Sequence, residues 1–133
     1  MLPIGGASER RRMNPELREQ LEKGHRVDIT TVGRRSRKPH RIEIGFQNID
    51  GTVYISGLPG RRDWYANLLA EPEFTFHLKQ SVTADLPARA RPITDPDERL
   101  SVLTPFTANW NYQDQVDAWV VGSPLVEVTF DIR

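Results

Sequence analysis

Apolar and polar residues alternate with a period of two along most of the chain, and turns rich in glycine and proline separate the alternating runs. This alternation is typical of β-strands with one buried face. It predicts six strands, at 26–32, 42–46, 52–56, 74–79, 82–92 and 125–132. The Asp50-Gly51 pair between the second and third strands is a strong signal for a tight hairpin.

The first two helical segments are marked by capping signals. Asn14 as N-cap and Pro15 at the first helical position predict a short helix, which ends at Gly24. Asp63 is predicted to cap a second helix over 64–70, which the following Glu-Pro pair stops.

The C-terminal half holds a third helix and a less regular stretch. Thr94 is predicted to cap the third helix, and Pro105 should limit its length. Residues 110–119 are polar and either helical or irregular. His77 falls on the polar face of its predicted strand, where we expect it to be exposed to solvent.

The order of elements is one helix, three strands, one helix, two strands, helical material and a last strand. Strands linked by hairpins with helices between pairs predict an antiparallel barrel or a strongly bent sheet of the α+β class. The length of 133 residues fits one domain. Residues 1–13 are rich in glycine and charge and are predicted to form a flexible leader, so the domain should occupy 14–133.

Composition narrows the class of protein further. No apolar stretch approaches the ~20 residues of a membrane span, and no signal peptide is recognisable. The absence of cysteine excludes disulfides, zinc-thiolate sites and cysteine nucleophiles. We expect a cytoplasmic protein, in which the basic residues at 10–12 offer at most a weak peripheral contact with a membrane.

The net charge is zero, but its distribution is uneven. Residues 1–41 hold eleven Lys and Arg against five Asp and Glu, and the basic excess is densest in the turn that Gly33 begins. A glycine-led turn with a serine hydroxyl and several arginines suits a phosphate or a carboxylate-rich ligand. A solvated basic turn is the competing interpretation. The residues of interest in this turn are Arg34, Arg35, Ser36, Arg37, Lys38 and Arg41.

Two further groups of residues are candidates for binding. The loop at 57–62 runs from a strand to a helix start, where backbone N–H groups can face an anionic or electron-rich ligand. Trp110, Tyr112 and Trp119 stand among amide side chains, a composition that suits a pocket wall stacking on a planar ring. The loop is the weaker signal, since a β-to-α connection whose glycines only permit turning also explains it. Packing of a loop onto the barrel mouth explains the aromatic group equally well. The three histidines have no metal-ligand spacing, so we predict no metal.

In this order and spacing, the motifs resemble the deazaflavin-dependent nitroreductase family over about residues 27–130. The resemblance rests on Thr-Thr-Val-Gly-Arg-Arg-Ser at 30–36, Pro39, Asp50-Gly51, Gly60, Asp-Trp-Tyr-Ala-Asn-Leu at 63–68, Tyr-Gln-Asp at 112–114 and Trp119. It implies a split β-barrel, antiparallel and related to the FMN-binding barrels, with flanking helices. It also implies coenzyme F420 as the cofactor.

The family's functional residues can be placed on this chain. The resemblance implies that the basic turn holds the cofactor's phosphate and acidic tail, and that the loop before the second helix lies along the deazaflavin ring. It puts the tyrosine-bearing segment, and so Tyr112, on the substrate side. The implied cofactor-binding residues are Arg34, Arg35, Ser36, Lys38, Arg41, Gly57, Leu58, Pro59, Gly60, Trp64 and Asn67. Arg37 stands where the family usually has glycine, and His40 where it often has arginine.

The expected function is transfer of a hydride from reduced deazaflavin to a quinone, a nitroaromatic or another electron-poor small molecule. Tyr112 would be the catalytic residue. An FMN-using oxidoreductase and a non-catalytic protein that binds deazaflavin, flavin, haem or lipid on the same barrel stay open as alternatives. A nucleic-acid-binding barrel is disfavoured by the acidic second half of the chain. Homodimerisation is compatible with the sequence without being required by it.

Overall fold

A computed structural model describes residues 15–131 of the chain. In this part of the chain six antiparallel strands close into a barrel with the neighbour order β1-β2-β3-β6-β5-β4. The strands are β1 (Arg26–Val32), β2 (Pro39–Ile49), β3 (Thr52–Ser56), β4 (Glu73–Lys79), β5 (Thr83–Pro92) and β6 (Leu125–Phe130). The predicted α+β antiparallel barrel is thus confirmed, while the predicted leader and residues 132–133 lie outside the described residues.

Within residues 15–131, four helices flank the barrel. They are α1 (Pro15–Lys23), α2 (Asp63–Ala70), α3 (Pro96–Asn109) and α4 (Val116–Gly122), with a 3-10 turn at Gln113–Gln115 before α4. No helix among residues 15–131 has the length and apolar character that crossing a bilayer requires.

The barrel core follows from the alternation of the strands. Val27, Ile29 and Thr31 are buried, while the residues between them are only partly so. The ring of Phe76 makes edge contacts with Phe46 at 5.1 Å and with Phe130 at 5.2 Å between centroids. Such aromatic pairs add specific contacts to the burial of apolar area.

The Asp50-Gly51 hairpin is confirmed by the backbone. Both residues have positive φ, 53° and 89°, as a two-residue primed turn requires. The Asn48 side chain accepts a hydrogen bond from the Gly51 N–H. The turn therefore fixes the register between β2 and β3.

A second apolar cluster lies between α3, α4 and the barrel. Its centre is formed by the fully buried side chains of Leu103, Phe106 and Trp119. The prediction that Pro105 limits α3 is wrong, because the helix continues to Asn109. Because Pro105 has no N–H, one helical hydrogen bond is lost, and the carbonyl concerned lies on the exposed side of the helix. The buried residues after Pro105 stabilise the last turn of α3.

Two predicted helix caps are also wrong. Asp63 is the first residue of α2, and Arg62 occupies the N-cap position without a side-chain cap bond. In α3 the N-cap is Asp95 and not Thr94, since the Asp95 carboxylate accepts a hydrogen bond from the Glu98 N–H. In each case the true cap lies one residue away from the predicted one, within the ordinary uncertainty of helix ends.

His77 is buried, contrary to the expectation that it faces solvent. Only 7% of the residue is exposed. Its Nε2 lies 2.7 Å from the Thr30 hydroxyl and its Nδ1 lies 2.7 Å from an Asp85 carboxylate oxygen. β4 lies between β1 and β5, and side chains of both neighbours cover this position and satisfy the ring.

The barrel is open along the first half of β2. In the register with β1, His40, Ile42 and Ile44 share the inner face with buried residues of β1. β3, however, pairs only with residues 46–49 of β2, so among the described residues the first half of β2 has no strand on its other edge. Ile42 is consequently 37% exposed, although it lies on the same face of β2 as the buried Phe46.

Candidate functional site

The basic turn and α2 enclose a cleft of about 460 Å³ at the open side of the barrel. We call it the basic cleft. Its walls come from the turn after β1, from α2 and from the inner face of β2. The lining residues are Thr31, Gly33, Arg34, Arg35, Ser36, His40, Ile42, Asp63, Trp64 and Asn67.

Gly33 allows the basic turn to fold tightly. The turn closes through hydrogen bonds from the Gly33 N–H to the Lys38 carbonyl and from the Arg37 N–H to the Gly33 carbonyl. A Cβ at position 33 would lie 2.4 Å from the Ser36 hydroxyl and 2.6 Å from Nε2 of His40. Only glycine therefore leaves room for these two side chains at the mouth of the cleft.

Arg34 is anchored to α2 by Asn67. The Asn67 side-chain oxygen accepts hydrogen bonds from the Arg34 N–H at 3.1 Å and from Arg34 Nη1 at 2.9 Å. The Asn67 amide nitrogen donates to the Thr31 hydroxyl, and the residue is only 4% exposed. Asp63 adds a long ion pair to Arg34 at 3.4 Å. Asn67 thus positions the turn, and the guanidinium of Arg34 is held at the cleft.

Arg35 and Ser36 complete the anion-binding surface. The Arg35 side chain is exposed and makes no hydrogen bond or ion pair within residues 15–131. The Ser36 hydroxyl accepts a hydrogen bond from the Lys38 N–H at 3.2 Å and lies 3.1 Å from Nε2 of His40. Arg35 therefore has all its donors available for a ligand, whereas Ser36 is held in place by the turn.

Lys38 and Arg41 are not brought to the basic cleft. Lys38 is exposed and does not line it. Arg41 follows His40 in the strand and so points to the outer face of the barrel, where its Nε donates to Asp28 at 3.0 Å. Lys79 also bonds to Asp28, and hydrogen bonds from Lys79 and Arg41 lower the pKa of that carboxyl. Arg41 thus belongs to a surface ion-pair network.

A second cavity of about 470 Å³ lies further along the open side of the barrel. We call it the tyrosine cavity. It is lined by His25, Arg26, Ile44, Gly45, Ser56, Gly57, Leu58, Trp110, Tyr112 and Trp119. Ile42 of the basic cleft and Ile44 of the tyrosine cavity are two positions apart on β2, so both lie on the inner face of the strand. An apolar strip therefore joins the two spaces.

Aromatic side chains form the floor of the tyrosine cavity. The Tyr112 ring lies 5.4 Å from that of Trp119, and its hydroxyl makes no hydrogen bond to the described residues. The indole N–H of Trp119 is also without a partner there. A Cβ on Gly45 would lie 2.8 Å from the Trp110 ring, so this glycine lets the ring pack directly against β2. The cavity thus holds the Tyr112 side chain, whose hydroxyl has no partner among the described residues, beside other aromatic rings.

The two halves of the loop at 57–62 contact different parts of the molecule. Gly57 and Leu58 line the tyrosine cavity, whereas Pro59 lies against Gly122, and the Gly60 N–H donates to the carbonyl of Gly122. The guanidinium of Arg62 bonds to the carbonyls of Leu58 and Arg61 and so braces the loop. Of the four loop residues expected beside the cofactor, only the first two reach the open side of the barrel.

Several lining residues were missed by the sequence analysis. They are His25, Arg26, Thr31, Ile42, Ile44, Gly45, Ser56 and Asp63. Two of them could have been found from the sequence, because Ile42 and Ile44 lie on the same face of a predicted strand. What the sequence did not indicate is that this inner face is uncovered. Within residues 15–131 no three His, Cys, Asp or Glu side chains converge as a metal site requires.

The whole open side can hold an elongated ligand with an anionic end and a flat apolar part. The two guanidiniums of the basic cleft suit phosphate or carboxylate oxygens. The apolar strip and the aromatic floor suit a planar ring system.

A family model described as F420H(2)-dependent quinone reductase matches residues 6–123. A search of curated proteins gives no significant match. The chain therefore belongs, by a match over most of its length, to the family of F420H(2)-dependent quinone reductases, and coenzyme F420 is the cofactor of that family.

Solved structures share the fold at low sequence identity. A conserved hypothetical protein from Mycobacterium tuberculosis superposes with a TM-score of 0.68 at 17% identity, covering 89% of this chain and 81% of that one. A structure described as an F420 reductase gives 0.60 at 14% identity, covering 85% and 91%. An FAD-binding protein from Mesorhizobium loti gives 0.58 at 13% identity, covering 90% and 91%. These similarities support the split-barrel fold.

Proposed function

We propose that this member of the F420H(2)-dependent quinone reductase family reduces a quinone or another electron-poor small molecule at the open side of its barrel. The observation that carries the proposal is the continuity of the inner face of β2. That face joins the arginines of the basic cleft to the aromatic tyrosine cavity through Ile42 and Ile44. Nitroaromatic compounds are acceptors of the same electronic type and form part of the proposal.

The residues of the basic cleft fit the anionic part of F420. Within residues 15–131 the Arg35 guanidinium has no partner, and Asn67 holds Arg34 in place beside it. We infer that Arg34, Arg35 and Ser36 bind the phosphate and acidic tail. In the part of the chain that the structure describes, Asp63 is the one acidic residue lining the cleft, and its carboxylate is already directed to Arg34.

The apolar strip fits the ring part of the cofactor. Ile42 is uncovered on the inner face of β2, and Trp64 on α2 lines the same cleft while only 7% exposed. These side chains would exclude water from one side of a bound ring, and Gly57 and Leu58 would flank it at the tyrosine cavity. When bound, the reduced deazaflavin supplies two electrons as a hydride.

Tyr112 is the residue that we infer to act on the acceptor. Its hydroxyl makes no hydrogen bond within the described part of the chain, and the residue lines the tyrosine cavity. There it can donate a hydrogen bond to an acceptor oxygen and stabilise the negative charge that develops on reduction. Trp110, which is partly exposed and lines the cavity, would hold a flat acceptor by stacking.

The test is anaerobic turnover of F420H2 with a soluble quinone and, separately, a nitroaromatic compound, followed by the absorbance of oxidised deazaflavin. We expect turnover with the quinone, and a decrease of tenfold or more for Tyr112→Phe with little change in F420 affinity. Tyr54→Phe is the matched control, because Tyr54 lines neither cavity. Absence of turnover with every acceptor despite F420 binding would refute the enzymatic function and favour a binding protein.

A further inference from the structure

A third cavity, of about 700 Å³, takes no part in the function proposed above. It lies between the second half of the 57–62 loop, the start of α3 and the end of α4. We call it the arginine cavity, because Arg61 and Arg99 both line it. Among the described residues no Asp or Glu lines it, whereas Asp63 contributes to the basic cleft.

Arg99 is buried without a carboxylate partner. Only 8% of the residue is exposed, and within residues 15–131 no acidic side chain forms an ion pair with it. Its Nε donates to the Val120 carbonyl at 2.7 Å and its Nη1 to the Ile93 carbonyl at 2.8 Å. Its Nη2 donates to the carbonyls of Trp119 at 3.1 Å and Ser123 at 2.6 Å.

These contacts hold the guanidinium in place but leave its charge largely uncompensated. Carbonyls at the end of α4 supply only the partial negative charge of a helix C-terminus. Burial lowers the pKa of Arg99, which reflects the loss of solvation around the cation. A buried charge normally has an ionic partner, and here none is present among the described residues. One of the five guanidinium N–H donors is also left without a bond.

Ser123 gives a second, independent indication of a ligand. It lines the same cavity and is 5% exposed, and its hydroxyl is buried without a hydrogen-bond partner among the described residues. Buried hydroxyls are nearly always satisfied, so an unpaired one points to a missing partner. Arg61, at the rim, is exposed and makes no side-chain bond within residues 15–131.

We propose that the arginine cavity is a second ligand site, which binds an oxyanion, either a carboxylate or a phosphate group, attached to an apolar body. Arg99 and Ser123 would bind the oxyanion from the buried side and Arg61 from the rim. Tyr65, Pro96 and Pro124 supply apolar walls for the rest of the molecule. A ligand of this kind supplies the negative charge that Arg99 lacks and the partner that the Ser123 hydroxyl lacks.

This site is separate from the cofactor site but shares a loop with it. Gly57 and Leu58 line the tyrosine cavity, while Gly60 and Arg61 line the arginine cavity. The proposal does not depend on the redox function, since the residues that carry it line neither of the other two cavities.

The test is a titration of the isotopically labelled protein, followed by the NMR signals of the Arg99 side-chain Nε–H and the Ser123 amide. Benzoate, acetate and inorganic phosphate are the probes, each added at constant ionic strength. We expect saturable shifts at both signals, with benzoate binding at least threefold more tightly than acetate because of the apolar walls. Tighter binding of phosphate than of benzoate would indicate a phosphate ligand, and tighter binding of benzoate would indicate a carboxylate.

Variants separate this site from the basic cleft. Arg61→Gln and Ser123→Ala should each weaken binding at the arginine cavity by threefold or more. Arg35→Gln, which removes the same charge at the basic cleft, should leave it unchanged. The proposal is overturned if no probe gives saturable shifts at the two signals, or if both variants bind as the wild type does.

Discussion

Arg34 and Arg35 are adjacent in the basic turn, but the structure gives them different tasks. In Arg34→Gln the protein loses the hydrogen bond from Nη1 to Asn67, while the backbone N–H bond to Asn67 stays. A hydrogen bond from a charged group contributes about 1.5–3 kcal/mol, which we reduce to about 1–2 kcal/mol because a third of the Arg34 side chain is exposed. The ion pair to Asp63 adds little, since that carboxylate is 92% exposed.

The two variants should therefore differ in stability and agree in affinity. Arg34→Gln should lower the melting temperature by about 3–10 °C, whereas Arg35→Gln should change stability by less than about 0.5 kcal/mol. Each variant should weaken F420 binding by about 10- to 100-fold, the equivalent of one lost charged hydrogen bond.

Thermal melts without ligand and fluorescence titrations with F420 measure these two effects separately. Arg89→Gln is the matched control, because Arg89 forms an exposed ion pair with Glu73 and lines neither the basic cleft nor the tyrosine cavity. Unchanged F420 affinity in Arg35→Gln would contradict the role of Arg35 in binding the cofactor. If Arg34→Gln is no less stable than Arg35→Gln, the hydrogen bond from Arg34 to Asn67 does not stabilise the fold as expected.

Three other substitutions probe the turn, the aromatic floor and the surface network. Arg37 has a φ of 60°, so Arg37→Gly should raise the free energy of unfolding by about 0.5–1 kcal/mol in urea titrations. Gly45→Ala should displace the Trp110 ring and raise the KM for the acceptor severalfold, with F420 affinity unchanged; an unaltered KM would contradict the packing. Lys79→Met removes the main cause of the lowered pKa of Asp28. A carboxyl with a lowered pKa stabilises the fold above about pH 4. In urea titrations the free energy of unfolding of the wild type should therefore exceed that of Lys79→Met most near neutral pH, and the difference should vanish in acid. A difference independent of pH would refute this assignment.

The alternation of apolar residues was enough to predict all six strands, because each strand has one face in the barrel core. Glycine and charge also located the basic turn. The position of Arg41 was not predicted, because the predicted second strand began only at Ile42 and so did not include Arg41. β2 begins at Pro39, and its pairing with β1 puts His40 and Ile42 inward and Arg41 outward.

The missed part of the site depends on pairing lengths and not on residue type. From the sequence, Ile42 and Ile44 are expected to be ordinary core residues. They are uncovered only because β3 pairs with no more of β2 than residues 46–49. His77 gives the opposite case. A polar residue on an outer face is expected to be exposed, but side chains from two neighbouring strands cover it.

The central claim is that the basic cleft and the apolar strip together bind F420. Its most direct test is a pair of titrations of the purified protein, with oxidised F420 and with FMN, over a series of salt concentrations. We predict that F420 binds more tightly than FMN and that its affinity falls more steeply with salt, because its acidic tail adds charge for Arg34 and Arg35 to bind. Tighter binding of FMN, or F420 binding that is insensitive to salt, would contradict the account.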